Sequence, residues 1–473
     1  MGGGLLQLVA YGAQDVYLTG NPQITFFKVV YRRHTNFAME AIAQTFNGIP
    51  NYGNTVYCQI SRNGDLIHRT YLQVGVNATT ATKASTPTAS YVNYLGLRLL
   101  KAVSIEIGGQ QIDKHYSDWL YIWNELSLPQ GKRYAYDTMV GADRDILNNG
   151  LYGTNDITTL YIPLEFWFCR NIGLALPLIA LQYHEVKIKI DFETATNCVY
   201  VPDSASAAAD LNTFQLSNPI LWVDYIYLDT DERRKFAKLS HEYLIEQLQF
   251  TGQETLNTTG SRIKLNFNHP CKELIWVAKT TPTLASYWYN YTLDTAAPAR
   301  DSKNPTTDSA DYFPILGAVT DYHVSSNVAI IADTDITAIK KYIQASYTPY
   351  VDQHNTTIVN PFESCLLQLN GNDRFNVRDA NYFNLVQPYQ HHTNIPLNRG
   401  INVYSFALKP EEHQPSGTLN MSRIDTAVLN LTFEADITGD GNYKSSDYTL
   451  FVYAVNYNVL RILSGMGGLA YSN

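Results

Sequence analysis

Apolar and polar residues alternate along several short stretches of this chain, and two of these stretches hold equivalent places in its two halves. Residues 186–192 read VKIKIDF, and residues 429–433 read LNLTF. Side chains on a strand point alternately to opposite faces, so each stretch predicts a strand with one buried and one wetted face. We therefore predict a β-rich unit that occurs twice in the chain.

Four further anchors recur in the same order, with similar spacing, in both halves. The paired positions are Ile105 and Ile107 with Leu367 and Leu369, Trp119 and Tyr121 with Tyr382 and Phe383, 161–166 with 404–408, and 222–226 with 451–455. Such ordered recurrence indicates an internal duplication. Because the strands are short and separated by Gly, Pro and Asn turns, both units are predicted to be β-sandwiches.

The order of strand-like and polar stretches divides the chain into two large units and their connections. The expected segments are an N-terminal arm (1–23), a first unit (24–228), a linker (229–239) and a second unit (240–473) with a long surface insertion (281–360). The insertion is too long for an ordinary loop, so we expect it to contain small strands of its own. The apolar residues of the arm belong to no predicted sheet and need another surface to cover them.

Two stretches depart from the strand pattern and predict short helices. Residues 117–126 form the first, with Ser117 or Asp118 as its N-cap, and a long polar loop is expected to follow over 129–158. Residues 229–235 are the densest charge run of the chain, with acidic residues before basic ones. The helix dipole prefers this order, so we interpret the run as a solvated linker helix rather than a catalytic or binding cluster.

The composition favours a β-structure and argues against one functional class. The chain has 473 residues, 35 of them Tyr, and such aromatic residues fit a pleated, half-buried surface. Only 16% of the residues are charged, and the formal net charge is -9. A duplex-binding surface needs clustered Lys and Arg, so direct nucleic-acid binding is not expected.

The cysteines are five in number, widely spaced, and include no CxxC pair. They are Cys58, Cys169, Cys198, Cys271 and Cys365. This pattern predicts buried free thiols in a reducing compartment rather than disulfides or a zinc site. The first 28 residues have no basic start and no compact apolar run, so no secretory signal is expected.

One polar loop offers the oxygen ligands that a hard cation such as Ca²⁺ needs. The alternating candidates are Asp436, Thr438, Asp440 and Asn442, with Asp447 at the twelfth position. Calcium loops of this kind lie between helices and end in a bidentate Glu, whereas this loop lies between two strand patterns. A polar hairpin connection is therefore preferred to a metal site, and no cofactor is predicted.

The histidines offer a second candidate metal site. His391 and His392 could be joined by His323, His354 and His413 from nearby loops. No sequence pattern orients these rings toward a common ion, so we expect exposed loop histidines instead.

An aromatic stripe, YWYNY at residues 287–291, offers a surface on which a sugar could stack. The preferred interpretation is packing within the insertion or against a neighbouring chain. The sequence contains no GxSxG motif, no phosphate-binding loop and no dinucleotide-binding motif. Carboxylates are numerous, but the sequence marks none of them as a glycosidase pair.

Five stretches spread along the chain carry a further signal. They are LVAYGAQDVYLTGNPQITFFK (8–28), LALPLIALQYHEV (174–186), HEYLIEQLQF (241–250), QPSGTLNMSRID (414–425) and RILSGMGGLAY (461–471). Together they resemble the major capsid proteins of nucleocytoplasmic large DNA viruses, of the phycodnavirus, marseillevirus and iridovirus kind. The resemblance covers nearly the whole chain and is weakest in the long insertions.

This resemblance implies an all-β fold of two tandem eight-stranded antiparallel jelly rolls, with short helices and long loop insertions. It implies a structural protein and not an enzyme: homotrimers of hexagonal outline would tile an icosahedral virion shell, made in the host cytoplasm. The implied partners are neighbouring capsomers, minor capsid and penton proteins, and an internal membrane. The alternative is a secreted carbohydrate-binding or glycoside-hydrolysing β-sandwich, which the odd cysteine count and the missing signal disfavour.

Overall fold

The structure of the chain is a computed structural model. It describes residues 13, 33–77, 90–142, 157–200, 214–256, 260–280, 288–292, 360–433 and 448–471. The predicted N-terminal arm lies outside the described residues except for residue 13. The predicted insertion lies outside them except for residues 288–292 and 360.

Strands dominate both halves of the chain. The first half contains β1 (Phe37–Gln44), β2 (Thr55–Gln59), β3 (Leu66–Asn77), β4 (Ser90–Tyr91), β5 (Leu100–Ile107), β6 (Gln110–Tyr116), β7 (Ile157–Pro163), β8 (Leu176–Pro177), β9 (Val186–Phe192), β10 (Val199–Tyr200) and β11 (Leu216–Leu228). The second half contains β12 (His241–Thr255), β13 (Ser261–Leu265), β14 (Pro270–Thr280), β15 (Phe362–Leu369), β16 (Asn372–Asp373), β17 (Arg378–Asp379), β18 (Asn402–Ser405), β19 (Leu419–Asn420), β20 (Ala427–Phe433), β21 (Tyr448–Leu463) and β22 (Met466–Leu469).

The helices are short and connect the strands. They are α1 (Leu95–Leu99), α2 (Ser117–Ser127), α3 (Gln130–Val140), α4 (Trp167–Arg170), α5 (Ala195–Cys198), α6 (Thr230–Lys238) and α7 (Gln387–His391). A π-helical turn, Tyr382–Val386, leads directly into α7, and 3₁₀ turns lie at Ile172–Leu174 and Met421–Arg423. Within the described ranges, no helix is long and apolar enough to cross a membrane.

The same strand order occurs in both halves. In the first half, sheet 1A has the order β1-β11-β3-β7 and sheet 1B the order β2-β9-β5-β6. In the second half, sheet 2A has the order β12-β21-β14-β18 and sheet 2B the order β13-β20-β15-β16. Two facing four-stranded antiparallel sheets with these connections form a jelly roll. The predicted duplication and the predicted all-β, double jelly-roll fold are therefore confirmed.

The alternating stretches that predicted the duplication are strands β9 and β20. Each lies second in its sheet, and in each every other residue is buried while the residues between them are half-buried. The paired stretches 222–226 and 451–455 lie in β11 and β21, which are second in sheets 1A and 2A. The sequence repeat thus corresponds to the topological repeat.

Sheet 2A separates two hydrophobic cores. Leu274, Trp276 and Ala278 of β14 face the core between sheets 2A and 2B. Ile275 and Val277 point the other way, into a core that is continuous with the first half. Each large apolar side chain buried in this way contributes about 1.5–3 kcal/mol. The two jelly rolls therefore share a core instead of being joined only by a linker.

The first predicted helix is confirmed as α2, but its predicted cap is wrong. Tyr116 occupies the N-cap position, and its side chain makes no capping hydrogen bond. The Asp118 carboxylate instead lies 2.7 Å from Lys279 Nζ of the second half. The carboxylate is thus held by an ammonium of the second half and not by the free N–H groups at the start of α2.

The prediction of a polar loop over 129–158 is wrong for residues 130–140. Helix α3 occupies this part, where Tyr136 and Val140 are buried. The Arg133 guanidinium is paired with Asp137 at 3.2 Å, one turn away, and with Glu125 of α2. Packing and ion pairing outweigh a low intrinsic helix propensity here.

Two further predictions are confirmed. The charge run forms helix α6, none of whose residues is buried, and the Asp229 carboxylate accepts a hydrogen bond of 2.8 Å from Thr230 N–H. All five cysteines are buried and free, and burial raises the pKa of the Cys58 thiol to about 12. Such thiols are unreactive and serve as small apolar side chains.

Candidate functional site at the junction of the two halves

The outer face of sheet 2A packs on α2 and β6 of the first half, and we call this contact the junction. The Trp119 and Tyr453 rings lie 5.7 Å apart, centroid to centroid, and the Tyr116 and Phe250 rings lie 5.0 Å apart. The Leu248 N–H donates a hydrogen bond of 3.1 Å to the Asp113 carboxylate. Aromatic packing thus forms the centre of the junction, and hydrogen bonds to the backbone fix its register.

A buried ion pair lies inside the junction. The Lys279 ammonium is 2.7 Å from the Asp118 carboxylate, which also accepts a hydrogen bond of 2.8 Å from the Tyr291 hydroxyl. The ammonium lies 3.9 Å above the Trp288 ring. Burial lowers the pKa of Lys279 to about 8, although the Asp118 charge opposes this shift. Each charge is buried only because the other half of the chain supplies its partner.

The aromatic stripe at 287–291 belongs to this junction. Tyr289 is stacked on Tyr121 with 4.5 Å between ring centroids, and its hydroxyl lies 2.6 Å from Ser117 Oγ. Tyr289 and Tyr291 are buried, so neither ring offers a face to a sugar. Both interpretations of the stripe were wrong, because the described rings pack on the chain's own first half. Tyr287 lies outside the described residues.

The C-terminal hairpin, β21–β22, docks on the first half at a second place. Tyr183 N–H donates to the Gly465 carbonyl at 2.9 Å, and Gly467 N–H donates to His184 Nδ1 at 3.1 Å. A Cβ atom at Gly467 would lie 2.6 Å from the buried Leu181 side chain. Only glycine therefore allows this approach, and the stretches 174–186 and 461–471 contact each other directly.

A second group of charges also crosses between the halves. The Glu246 carboxylate lies 3.0 Å from Arg170 of α4 and 2.7 Å from Lys272 of β14. Burial alone would raise the pKa of Glu246, but Arg170 and the other partners outweigh it and lower the pKa to about 2. A bulge in β14 between Cys271 and Glu273 places Lys272 here and directs Glu273 to a different cluster.

That cluster surrounds His392, whose side chain is completely buried. Its Nε2 lies 2.9 Å from Glu273 and its Nδ1 lies 3.0 Å from Glu411. Burial by itself lowers the pKa of His392, but the two carboxylates outweigh it and raise the pKa to about 9. The prediction of exposed loop histidines is therefore wrong for His392, which is a buried cation that fixes a loop to β14.

Of the remaining candidates, His391 Nδ1 lies 3.0 Å from the Leu408 carbonyl in an exposed contact, and His413 Nδ1 lies 3.9 Å from the Glu246 carboxylate. The other candidates lie outside the described residues. This applies to the loop residues Asp436, Thr438, Asp440, Asn442 and Asp447, and to His323 and His354. Among the residues that the structure does describe, no group of three His, Cys, Asp or Glu side chains is placed to hold a metal ion.

The junction charges were not among the predicted site residues, but the sequence contains a signal for the junction. Residues 274–278 read LIWVA and residues 450–455 read LFVYAV, without the polar alternation of a strand that has one wetted face. Such continuous apolar runs indicate strands that are buried on both faces. The outer face of sheet 2A therefore needs a second layer of protein to cover it, and the first half supplies that layer.

These contacts define a class of molecule. Two jelly rolls are joined through a shared core, buried ion pairs and a docked hairpin, and together they form one double jelly-roll protein.

Comparison with known proteins supplies the family. Residues 25–229 match the family described as "Major capsid protein N-terminus", and residues 232–468 match "Large eukaryotic DNA virus major capsid protein". The chain belongs to the major capsid proteins of large eukaryotic DNA viruses. It is a structural component of the virion shell, and its relatives are named as capsid proteins rather than enzymes.

Individual relatives are similar to this chain in sequence over their full length. The major capsid protein of Pyramimonas orientalis virus is 49% identical and that of Phaeocystis pouchetii virus 46% identical, each alignment covering 100% of both chains. Among solved structures, the PBCV-1 virus capsid model has a TM-score of 0.70 at 40% identity, and the match covers 95% of this chain and 100% of that chain. The predicted family and function are confirmed.

Proposed function

We propose that the chain forms a homotrimer of pseudo-hexagonal outline and that these trimers tile an icosahedral shell. The observation that carries this proposal is the identical strand order in the two halves. Three copies of a doubled unit supply six similar modules, and six modules suit a hexagonal lattice. The 40% identical relative, described as part of the PBCV-1 virus capsid, supports assembly with neighbouring capsomers.

The finer partners and the place of assembly belong to the same proposal. Minor capsid and penton proteins would close the shell, and an internal membrane would lie beneath it. Assembly in the host cytoplasm is supported by five buried free thiols, which suit a reducing compartment. The division into jelly rolls at 24–228 and 240–473, with a linker at 229–239, is supported by the solvated helix α6.

The test is the mass and shape of the purified full-length chain. Light scattering coupled to size exclusion should give three times the chain mass of 53.3 kDa. Negative-stain electron microscopy should show particles of hexagonal outline. A monodisperse monomer at micromolar concentration, with no larger particle, would overturn the trimer.

A further inference from the structure

Three Asn-Gly pairs lie within the described ranges, and the structure holds their backbones in different ways. They are 47–48, 63–64 and 370–371, and all three asparagines are exposed. An exposed Asn before Gly can react with its own backbone, because glycine has no side chain to shield the peptide nitrogen that follows the Asn. The fold then decides which pair has the freedom to react.

Two of the pairs are fixed by neighbouring segments. The Asn47 N–H donates to the Tyr57 carbonyl at 2.7 Å, and the Asn47 carbonyl accepts from the Tyr57 N–H at 3.2 Å. The Asn370 N–H donates to the Thr426 carbonyl at 2.7 Å, and the Asn370 side-chain oxygen accepts from the Thr426 N–H at 3.0 Å. Rotating the backbone of either asparagine would break these hydrogen bonds.

Asn63, by contrast, lies between two anchored residues and is not itself anchored by its backbone. The Ser61 and Asp65 N–H groups donate hydrogen bonds of 3.0 Å and 3.1 Å to β1 and β11, respectively. Among the described residues, the Asn63 N–H and carbonyl and the Gly64 N–H have no hydrogen-bond partner. The Asn63 side chain makes one hydrogen bond, of 3.0 Å from Nδ2 to Ser61 Oγ. The segment can therefore open locally while the strand pairing stays intact.

Tyr225 explains why glycine occupies position 64. A Cβ atom on Gly64 would lie 2.8 Å from the Tyr225 Cβ atom. The Tyr225 side chain is buried, and its hydroxyl donates a hydrogen bond of 2.6 Å to the Ser61 carbonyl, so it has no room to move aside. Packing thus excludes a larger residue that would shield the peptide nitrogen after Asn63.

We propose that Asn63 is a site of spontaneous deamidation in the folded chain and that Asn47 and Asn370 are protected. The Gly64 nitrogen attacks the side-chain carbonyl carbon of Asn63, and the bond from that carbon to Nδ2 breaks. Nδ2 leaves as ammonia with the proton of the Gly64 N–H, and a five-membered cyclic imide remains. One water molecule then opens the imide at either carbonyl and leaves aspartate or isoaspartate at position 63.

The product adds a negative charge beside two contacts of the first half. Arg62 donates hydrogen bonds of 2.6 Å and 3.2 Å to the carbonyls of Leu181 and His184, in the loop on which the C-terminal hairpin docks. Asp65 Oδ2 lies 3.0 Å from the Arg233 guanidinium of α6. A carboxylate binds a guanidinium more strongly than a neutral carbonyl does, so the new charge competes for Arg62. Deamidation should therefore loosen the loop under the hairpin.

Peptide mass spectrometry of the native full-length chain tests the modification. The deamidated fraction of each Asn-Gly pair is followed during incubation at neutral and at mildly alkaline pH, in buffer and in concentrated urea. In urea the three pairs should react at similar rates, because the fold no longer distinguishes them. In buffer Asn63 should react at nearly its urea rate, whereas Asn47 and Asn370 should each react at least about tenfold more slowly than in urea.

Asn63→Gln is the matched control variant, because glutamine would have to form a larger ring and reacts far more slowly. Hydrogen exchange of the Tyr183 amide, which donates to Gly465 across the hairpin contact, should quicken as the native chain ages and stay constant in Asn63→Gln. Equal protection of all three pairs in buffer, or faster reaction at Asn47 or Asn370 than at Asn63, would overturn the proposed site. Deamidation at Asn63 with unchanged Tyr183 exchange would overturn the loosening of the loop and support the site.

Discussion

Sheets 1A and 2A have the same strand order but opposite relations to solvent, and the difference shows how one fold supplies two kinds of surface. Sheet 2A is covered on both faces, by its own jelly roll and by α2. Sheet 1A is covered on one face, and its outer aromatic residues remain accessible. Fusion of two jelly rolls thus turns one sheet face into core and leaves the equivalent face partly exposed to solvent.

The sequences of the central strands reflect this difference. Residues 450–455 of β21 are all apolar, whereas residues 221–225 of β11 read LWVDY, with Asp224 on the open face. A carboxylate at the position of Tyr453 could not be buried without a cation. The contrast predicts that substitutions at the junction destabilise the isolated chain, while equivalent substitutions on sheet 1A act mainly on association.

The largest effect is expected for the buried ion pair. Asp118→Ala leaves the Lys279 ammonium buried without its carboxylate, 2.7 Å away in the native chain. Removal of one partner of such a pair costs about 3–5 kcal/mol of unfolding free energy. Urea denaturation monitored by tryptophan fluorescence measures the loss.

The matched control is the pair of Arg461 and Glu242, which spans 2.8 Å with both side chains more than half exposed. Arg461→Ala should cost at most about 1 kcal/mol because solvent screens the pair. Equal losses for the two variants would mean that the junction does not shield Asp118 and Lys279 from water.

A second prediction compares equivalent positions on the two sheets. Phe451→Ala should destabilise the isolated chain by about 3 kcal/mol, since the ring is buried between the halves. Trp222→Ala should cost about 1 kcal/mol in the isolated chain, because the larger ring is only half-buried. Thermal unfolding at concentrations too low for the proposed trimer to form gives both values. A loss of unfolding free energy in Trp222→Ala as large as that in Phe451→Ala would show that the outer face of sheet 1A is already buried in the isolated chain.

Sequence reasoning found the repeat because strand alternation is a local property. The residues of β9 and β20 alternate every second position, and no distant partner is needed to recognise this. The prediction for His392 was wrong for the opposite reason, because its environment is not a local property. Its partners Glu273 and Glu411 are distant in sequence, and the bulge in β14 directs Glu273 toward it. The prediction for the aromatic stripe was wrong for the same reason. Tyr289 packs on Tyr121, and about a third of the sequence separates these two residues.

A third prediction concerns the pH dependence of stability. The pKa of His392 is about 9 in the folded chain, above the value of 6.5 for an unperturbed histidine. Folding therefore binds a proton between these values, so the stabilisation is complete below pH 6.5 and is lost as the pH rises through about 9. The loss is on the order of 3 kcal/mol for a shift of this size.

Unfolding free energies of the native chain and of His392→Gln between pH 6 and pH 10 isolate this contribution. The stability difference between the two proteins should shrink as the pH rises. Lys279 acts in the opposite direction above pH 8, because burial lowers its pKa to about 8, but it acts equally in both proteins. A difference that stays constant over this range would contradict a charged His392.

The smallest effect is expected at the docked hairpin, where two adjacent glycines differ only in what they approach. A Cβ atom at Gly467 would lie 2.6 Å from Leu181 and 3.2 Å from Ile107, both buried in the first half. At Gly468 the nearest atom would be the Gln110 side-chain oxygen at 3.4 Å, an ordinary contact that a flexible side chain can relax. Gly467→Ala should therefore cost about 1–3 kcal/mol of unfolding free energy through overpacking, and Gly468→Ala less than about 0.5 kcal/mol.

Hydrogen exchange measures this contact directly. Exchange of the Tyr183 and Gly467 amides should quicken in the Gly467 variant alone, because both amides donate hydrogen bonds across this contact. Unchanged exchange would mean that the hairpin is held by β21 rather than by the first half.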